Sequence, residues 1–574
     1  MEDAAMTGAA AARSPSTASY AAHKRPPWSL SCLFVLQHLL VQASLLCVCH
    51  ILLLQKLPQE NQKQLLATSL FTCGVSTALQ TTLGSRLPLV QAPSFQFLIP
   101  AVILSRQSSA ADRAYRHGLE GSLECTSLAC NTTNSWNQPI REAAGAVLVS
   151  GALQMLFGVS GLCGVISQRS GPMVLAPTLS IIGFSIYKEA ALICSANWGL
   201  SMLYVKVYLL LLPISCIWMV CGILNHVGIQ TERQGLPFGH LSAENTTLPA
   251  PWIKVPYPGE RGWPFLSARA LCMGTVLAVT SSINSLGCYI LCSRVQHSPP
   301  VPRHACNRGI CMEAVGNVLS GILGSASGAA SSIPNAGAIG LTKAGSRHSV
   351  QLCALACVLL GMSPRLTELL AAIPLAVHGG VLCTTHAVSI GTGISYFQYT
   401  DIDSGRNVFI VGFTIFMALL VPRWLTAAPD YITTGWSSLD LLFLSLLTAP
   451  VFLGGFCSFL LDNTISGTLK ERGLLPDQPK WHPATGESSY QASKMESAHV
   501  YGLPASLNKC QVCPRTPFPC RVLCPLDEED AGAEETLTLP EEGTNLLLKP
   551  CALVIEADLK QIQAEPQWPA QSEC

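Results

Sequence analysis

Charge is what this sequence lacks most. Lys, Arg, Asp and Glu make up 12% of its 574 residues, about half the share of an ordinary soluble domain. The 34 basic and 34 acidic residues cancel, so there is no basic surface for a nucleic-acid backbone and that partner class is excluded. The first 27 residues are polar and lack a short apolar core. No cleavable leader is therefore expected, and the first apolar block serves as an uncleaved anchor. The alternating pattern of a membrane barrel is also absent. So is any cluster of catalytic side chains in or beside the apolar blocks, which argues against an enzyme.

What the chain has in excess is apolar length. Hydrophobic residues reach 49% and the mean hydropathy is +0.38. They gather in thirteen blocks, near 30–54, 64–83, 89–105, 143–166, 171–187, 200–224, 266–292, 310–327, 332–345, 348–362, 369–393, 407–421 and 438–461. Crossing about 30 Å of hydrocarbon takes about 20 helical residues, and backbone groups in lipid must be satisfied internally. Each block is therefore expected to be helical, and the fold class is an all-α polytopic membrane protein in a lipid bilayer. Arg13, Lys24 and Arg25 before the first block favour a cytoplasmic N-terminal segment, 1–27. Residues 466–574 are rich in Pro, Glu, Ser and Gln and read as a disordered cytoplasmic tail.

Cysteine is plentiful at 25 residues, but Cys47, Cys49, Cys216, Cys221, Cys288 and Cys292 lie within apolar blocks, where cysteine acts as a small hydrophobe. Cys125 and Cys130 share a polar loop with the sequon at Asn131, and the reading is evenly divided between a disulfide there and two free thiols. A second sequon stands at Asn245. Cys510, Cys513, Cys520 and Cys524 have a spacing too short and proline-crowded for a zinc site, and unstructured or palmitoylated cysteines fit better.

Two blocks are short and interrupted: 89–98, with Pro93 inside it, and 331–343, with Pro334, Gly337 and Gly340. Each is third in its half of the chain when the second half begins at 266. Paired broken segments at matching positions are the best sequence pointer to a transporter's binding site, and half-helix N-termini there aim free N–H groups at a ligand. The bland alternative is a pair of bent helices that only pack.

The stretch Pro334-Asn335-Ala336-Gly337 through Thr342-Lys343 resembles the signature of the nucleobase–ascorbate transporter family. Gln37-His38, Gln80 through Pro88, His304 through Gly309, Ser404 through Asn407, Asp462 through Thr464 and Glu471 through Gly473 extend the resemblance over nearly the whole membrane region. Pro334 and the C-terminal pair resemble the sodium-dependent ascorbate branch, and most closely its divergent third vertebrate member. The resemblance implies roughly fourteen spans in two inverted repeats of roughly seven. A core (30–166 and 266–362) would move like an elevator against a gate (171–224 and 369–461), the solute held between the broken segments. It further implies a secondary-active transporter of the plasma membrane with both termini cytoplasmic, sodium as coupling ion with no other cofactor, and a homodimer through the gate.

Two departures shape the reading. Where the ascorbate branch carries a glutamate and an aspartate in its eighth span, this chain has Asn284 and Cys288. No Asp or Glu is read well inside a block, with Glu313 near the end of its own. Cys288, Ser331 and Ser332 are then what is left for sodium, a weak set. The solute set is Asn284, Ser94, Phe95, Pro334 and Asn335. An amide at 284 pairs with a lactam edge, which favours a neutral purine such as hypoxanthine or xanthine over ascorbate. Gln37, His38, Gly337, Gly340 and Thr342 are read as structural. The second departure is a single block, 200–224, where the family has two helices. By parity Asn131 and Asn245 then face opposite sides unless a block fails to cross, and the expectation is that 200–224, with Lys206 and Pro213 in it, lies at the interface instead. A non-transporting protein that keeps the fold is the reading from another class.

Overall fold

The structure, a computed structural model, describes residues 22–54, 62–94, 97, 132–206, 251–296, 298–371, 373, 375–428, 431–468, 470–473, 497–503 and 520–523. Phe95, Cys125, Cys130, Asn131, Asn245, residues 207–224 and Cys510, Cys513 and Cys524 lie outside the described residues. In chain order the elements are α1 Trp28–Leu54, α2 Gln62–Thr82, β1 Gln91–Pro93, α3 Thr132–Val159, α4 Leu162–Arg169, α5 Pro172–Phe184, α6 Tyr187–Cys194 and α7 Trp198–Lys206. There follow α8 Ala268–Val295, α9 Arg303–Ile322, β2 Ala329–Ser331, α10 Ile333–Thr342, α11 Arg347–Gly361, α12 Pro364–Ala371 and α13 Leu375–Ser395. After the 3-10 turn Tyr396–Tyr399 come α14 Gly405–Ala427, α15 Ser437–Leu447, α16 Pro450–Thr464 and the short α17 Cys520–Leu523.

The helices are built outside in, as lipid demands. On α14, Val408, Phe409, Phe413, Phe416 and Leu420 are exposed while Asn407 is fully buried, its amide donating to the carbonyls of Asp401 and Glu471 (2.7 Å each). Apolar side chains cost nothing against lipid tails, whereas an amide or hydroxyl must find a partner inside. Among the described residues, four helices are long and apolar enough to cross a membrane by length and composition: α1, α3, α8 and α14. The count rises to six if the bent pairs α4 with α5–α6 and α15 with α16 are each one span.

Packing sorts the helices into two groups. In the first, α3 lies against α8 and α9, and α2 against α11. In the second, α13 and α16 pack on α5, and α14 packs on α16. Glycines set the close approaches in the first group: a Cβ at Gly151 would stand 2.7 Å from the Val318 nitrogen, and one at Gly321 would stand 2.8 Å from the Leu148 Cβ. Small residues at such crossings let backbones touch, which is where helix association in lipid gains its dispersion energy.

Helices α3 and α8 run parallel, and this decides a question of sidedness. Glu142 at the start of α3 pairs with Arg269 at the start of α8 (3.1 Å), and Gln154 further along donates to Ser281 (2.9 Å). Phe265 N–H also donates to the Arg141 carbonyl (2.9 Å). The described residues that follow the two sequons thus meet at one end of the bundle. A shared end is what parity allows when block 200–224 fails to cross, and residues 207–224 lie outside the described residues.

Not every block is wholly helical. β1 and β2 form an antiparallel two-stranded ribbon, with Gln91 opposite Ser331 and Pro93 opposite Ala329, inside the bundle and fully buried. Non-helical backbone is tolerated at this depth because each strand satisfies the other and protein surrounds both.

At the opposite, arginine-rich end, part of the tail is folded against the first group. Tyr501 is fully buried and its hydroxyl donates to the Pro299 carbonyl (2.6 Å). Arg308 donates to the carbonyls of Gly84 (2.8 Å) and Tyr501 (2.6 Å), and Arg347 to those of Arg86 (2.6 Å) and Val500 (2.9 Å). Two of the sequence motifs, Gln80–Pro88 and His304–Gly309, are thus clasped together with a segment of the region read as disordered tail.

Two measurements check this arrangement. Glycosidase mapping of Asn131→Gln and Asn245→Gln in cells is expected to show both sites occupied; occupancy of one alone contradicts the shared end. Tyr501→Ala removes a fully buried ring and is expected to destabilise the protein by about 3 kcal/mol, read as a lowered melting temperature in detergent.

Candidate solute-binding site

The two broken segments converge on one cavity. A space of about 100 Å³ opens where β1, β2, α8 and the start of α10 face α5, α6, α13 and the α15–α16 bend. From the first group its polar lining is Ser94, Thr280, Asn284, Ser331 and Ser332; from the second it is Ser185, Glu189, His386 and Ser445. Ala92, Pro93, Ala330, Ile333, Pro334, Ile186 and Val451 supply the apolar walls. A concave, mostly apolar space with a few converging polar groups between two packed groups of helices is the form a small-molecule site takes.

Local sequence explains how α10 starts at the cavity. Ser332 caps α10, its side-chain oxygen accepting from the Asn335 N–H (3.3 Å), while Pro334 occupies the first turn, where a missing N–H costs nothing. His38 on α1 stands 3.1 Å from the Asn335 side-chain oxygen, and Asn335 donates its amide to Ser332 (2.9 Å). Gln37 donates to the Ala338 carbonyl (3.3 Å) and to Thr342 (3.2 Å). A Cβ at Gly337 would stand 3.2 Å from Val388, and one at Gly340 the same distance from Val295. The signature residues therefore position the half-helix: α1 holds it from one side, and the glycines let it lie close to α13 and α8.

Of the five residues read as solute ligands, Ser94, Asn284 and Pro334 line the cavity. Asn335 is fully buried and turned to His38 and Ser332, away from the cavity lining. Asn284 spends its N–H on the Ser331 carbonyl (3.1 Å), which ties α8 to β2 at the cavity wall. Of the three residues read for sodium, Ser331 and Ser332 reach the cavity. Cys288 lies one turn along α8 in an apolar cluster with Leu175, Leu179 and Tyr289.

Beneath the ribbon lies a group that hydropathy misplaced. Glu313 was read near the end of a block running 310–327; α9 in fact begins at Arg303, so Glu313 sits at mid-helix and is fully buried. The polar residues His304, Asn307 and Arg308 belong to this helix, and an apolar window trims them away. Ser285 Oγ lies 2.8 and 2.7 Å from the two carboxyl oxygens of Glu313, Gln154 donates to one (3.1 Å) and Ser331 Oγ to the other (3.2 Å). Ser331 also receives the Gln91 amide (2.8 Å), which joins both strands to the same network. Glu189 and His386 were missed too. Glu189 falls just past the block ending at 187, and His386 reads as one polar residue in an apolar helix. Only packing brings them to the cavity. Among the described residues no group of three or more His, Cys, Asp and Glu gathers to hold a metal ion.

These roles separate by mutation. Glu313→Ala leaves Ser285, Gln154 and Ser331 without their acceptor, at about 1–3 kcal/mol for each unmet buried group, and is expected to cut the amount of protein at the cell surface. Asn284→Ala loses one bond at the cavity wall and is expected to keep most surface expression while uptake falls. Surface biotinylation read beside uptake distinguishes the two.

The chain matches the permease family over residues 31–205 and 200–427. It is 43% identical to solute carrier family 23 member 3 of Mus musculus, covering 93% of this chain and 92% of that one. It is 34% identical to solute carrier family 23 member 2 of Homo sapiens, over 84% and 79% of the two chains. With nucleobase-ascorbate transporter 2 of Arabidopsis thaliana the identity is 26%, over 85% and 95%. Those relatives are solute carriers and not enzymes. A family match over most of the chain, apolar helices built outside in, and a polar cavity between two helix groups carry one conclusion: this chain belongs to solute carrier family 23 and is a multi-pass membrane transporter of small solutes.

Proposed function

We propose that the chain carries a small, neutral, planar solute across the plasma membrane, most simply a purine nucleobase such as hypoxanthine or xanthine. The observation that carries this reading is the cavity itself. Its first-group wall offers hydroxyls and an amide, Ser94, Thr280, Asn284, Ser331 and Ser332, and no Lys or Arg stands among its described lining residues. Neutral donors and acceptors match a lactam edge, each good bond contributing about 1 kcal/mol net, whereas an organic anion such as ascorbate finds no cationic partner.

Movement of the first group, as core, against the second, as gate, is the proposed mechanism. Among the described residues no ion pair joins the two groups: Lys254 pairs with Glu260 in the loop before α8, Glu142 with Arg269 in the first group, and Asp462 with Arg406 (2.9 Å) and Arg472 (3.0 Å) in the second. The seam between them holds an apolar cavity of about 260 Å³ lined by Phe157, Ile166, Leu175, Ile283, Leu286, Phe452 and Phe456. Apolar faces slide at small cost, while separating a buried ion pair costs about 3–5 kcal/mol. The same proposal includes two inverted repeats, cytoplasmic termini with the arginine-rich end facing the cytoplasm, and pairing of two copies through the gate.

The residues available for sodium fit a cation poorly. The Cys288 thiol is in an apolar cluster, Ser331 Oγ donates to Glu313, and Ser332 Oγ accepts from Asn335. Competition uptake with labelled hypoxanthine and labelled ascorbate is expected to show saturable purine flux that falls little when choline replaces sodium. Saturable ascorbate uptake without purine flux would replace the substrate, and no flux of either from purified protein in vesicles favours a non-transporting protein.

A further inference from the structure

Glu189 is the one Asp, Glu, Lys or Arg among the described residues that line the cavity, with His386 the other titratable group there. It is the third residue of α6, on the wall opposite Asn284 and the ribbon. One carboxyl oxygen, Oε2, is buried without a hydrogen-bond partner. The neighbouring Lys188 is exposed and stands over the Tyr187 ring, 5.7 Å from its centroid, acting on Glu189 through its charge and not through a hydrogen bond to Oε2. A buried carboxylate oxygen without a donor is costly, and the cost is relieved when a ligand brings an N–H to it.

We propose that Glu189 is the specificity-determining residue of the cavity, accepting a ring N–H of a neutral heterocycle from the gate side and repelling organic anions. The opposite wall completes the geometry. The Ser332 hydroxyl, which only accepts from Asn335, and the second N–H of the Asn284 amide are left to donate to a solute's carbonyl edge while Glu189 takes the N–H edge, so a heterocycle with both edges bridges the two groups of helices. A like charge in a water-poor site is repelled far more strongly than in bulk water, which sets urate and ascorbate anions at a disadvantage. Because Glu189 stands on the gate and the ribbon on the core, this contact also changes when the groups move relative to one another. The inference rests on the transport reading above for the identity of the solute.

The test uses the full-length chain, purified, with Glu189→Gln as the isosteric variant that removes the charge and Lys188→Ala as the neighbouring control. In vesicles, Glu189→Gln is expected to raise the KM for hypoxanthine about tenfold and to strengthen inhibition by ascorbate, while Lys188→Ala changes neither. Thermal stabilisation of the protein in detergent by the same two solutes reads binding without flux. Hypoxanthine binding weakened tenfold or more by Glu189→Gln, with ascorbate binding unchanged or tighter, sustains the inference even where no flux occurs, and such a result overturns only the transport reading. Hypoxanthine binding that is equal in the two forms, or absent from the unmodified protein, overturns the inference.

Discussion

A two-stranded ribbon buried in the middle of a helical membrane protein is the constraint on which the other features depend. Six residues, Gln91–Pro93 and Ala329–Ser331, leave helical geometry at a depth where no water can satisfy their backbone. They are held by pairing with one another, by Thr77 and Gln42 on Gln91, and by Asn317, Ser285 and Asn284 on the second strand. The ribbon in turn fixes the start of α10 and the floor of the cavity. Ser331 sits at the junction: its hydroxyl serves Glu313, its carbonyl takes Asn284, and it faces the cavity.

The few charges in the membrane region follow one logic. An ion in a dry interior is tolerated when its partners are built in. Asp462 has two arginines, Glu142 has Arg269, and Glu313 has hydroxyl and amide donors in place of a cation. Three sequence motifs that looked separate, Ser404–Asn407, Asp462–Thr464 and Glu471–Gly473, are the parts of one such cluster. Arg406 and Arg472 grip Asp462, Ser404 donates to Glu471, and Asn407 donates to the Glu471 carbonyl. Glu189 departs from that logic, since part of its carboxyl group is buried without a donor at the edge of the cavity.

The sequence by itself determined that the chain is a helical membrane protein and that Pro93 and Pro334 mark paired interruptions. Those properties are local: hydropathy sums over a stretch of about 20 residues, and a proline breaks a helix wherever it stands. Gln37, His38 and Thr342 were legible as structural positions, and the contacts of Gln37 with Thr342 and of His38 with Asn335 came only with the fold.

Only the tertiary structure decided which side chains meet. It set Glu313 at mid-helix under the ribbon, where an apolar window had cut its helix short. It brought Glu189 and His386 to the cavity from elements that look unremarkable in isolation, turned Asn335 away from it, and left Cys288 in an apolar cluster. It folded Val500 and Tyr501 onto Arg347 and Arg308 from a segment whose composition reads as disordered. Each of these depends on contacts between residues far apart in the chain, whose free energy comes from burial and from partners that no local pattern encodes.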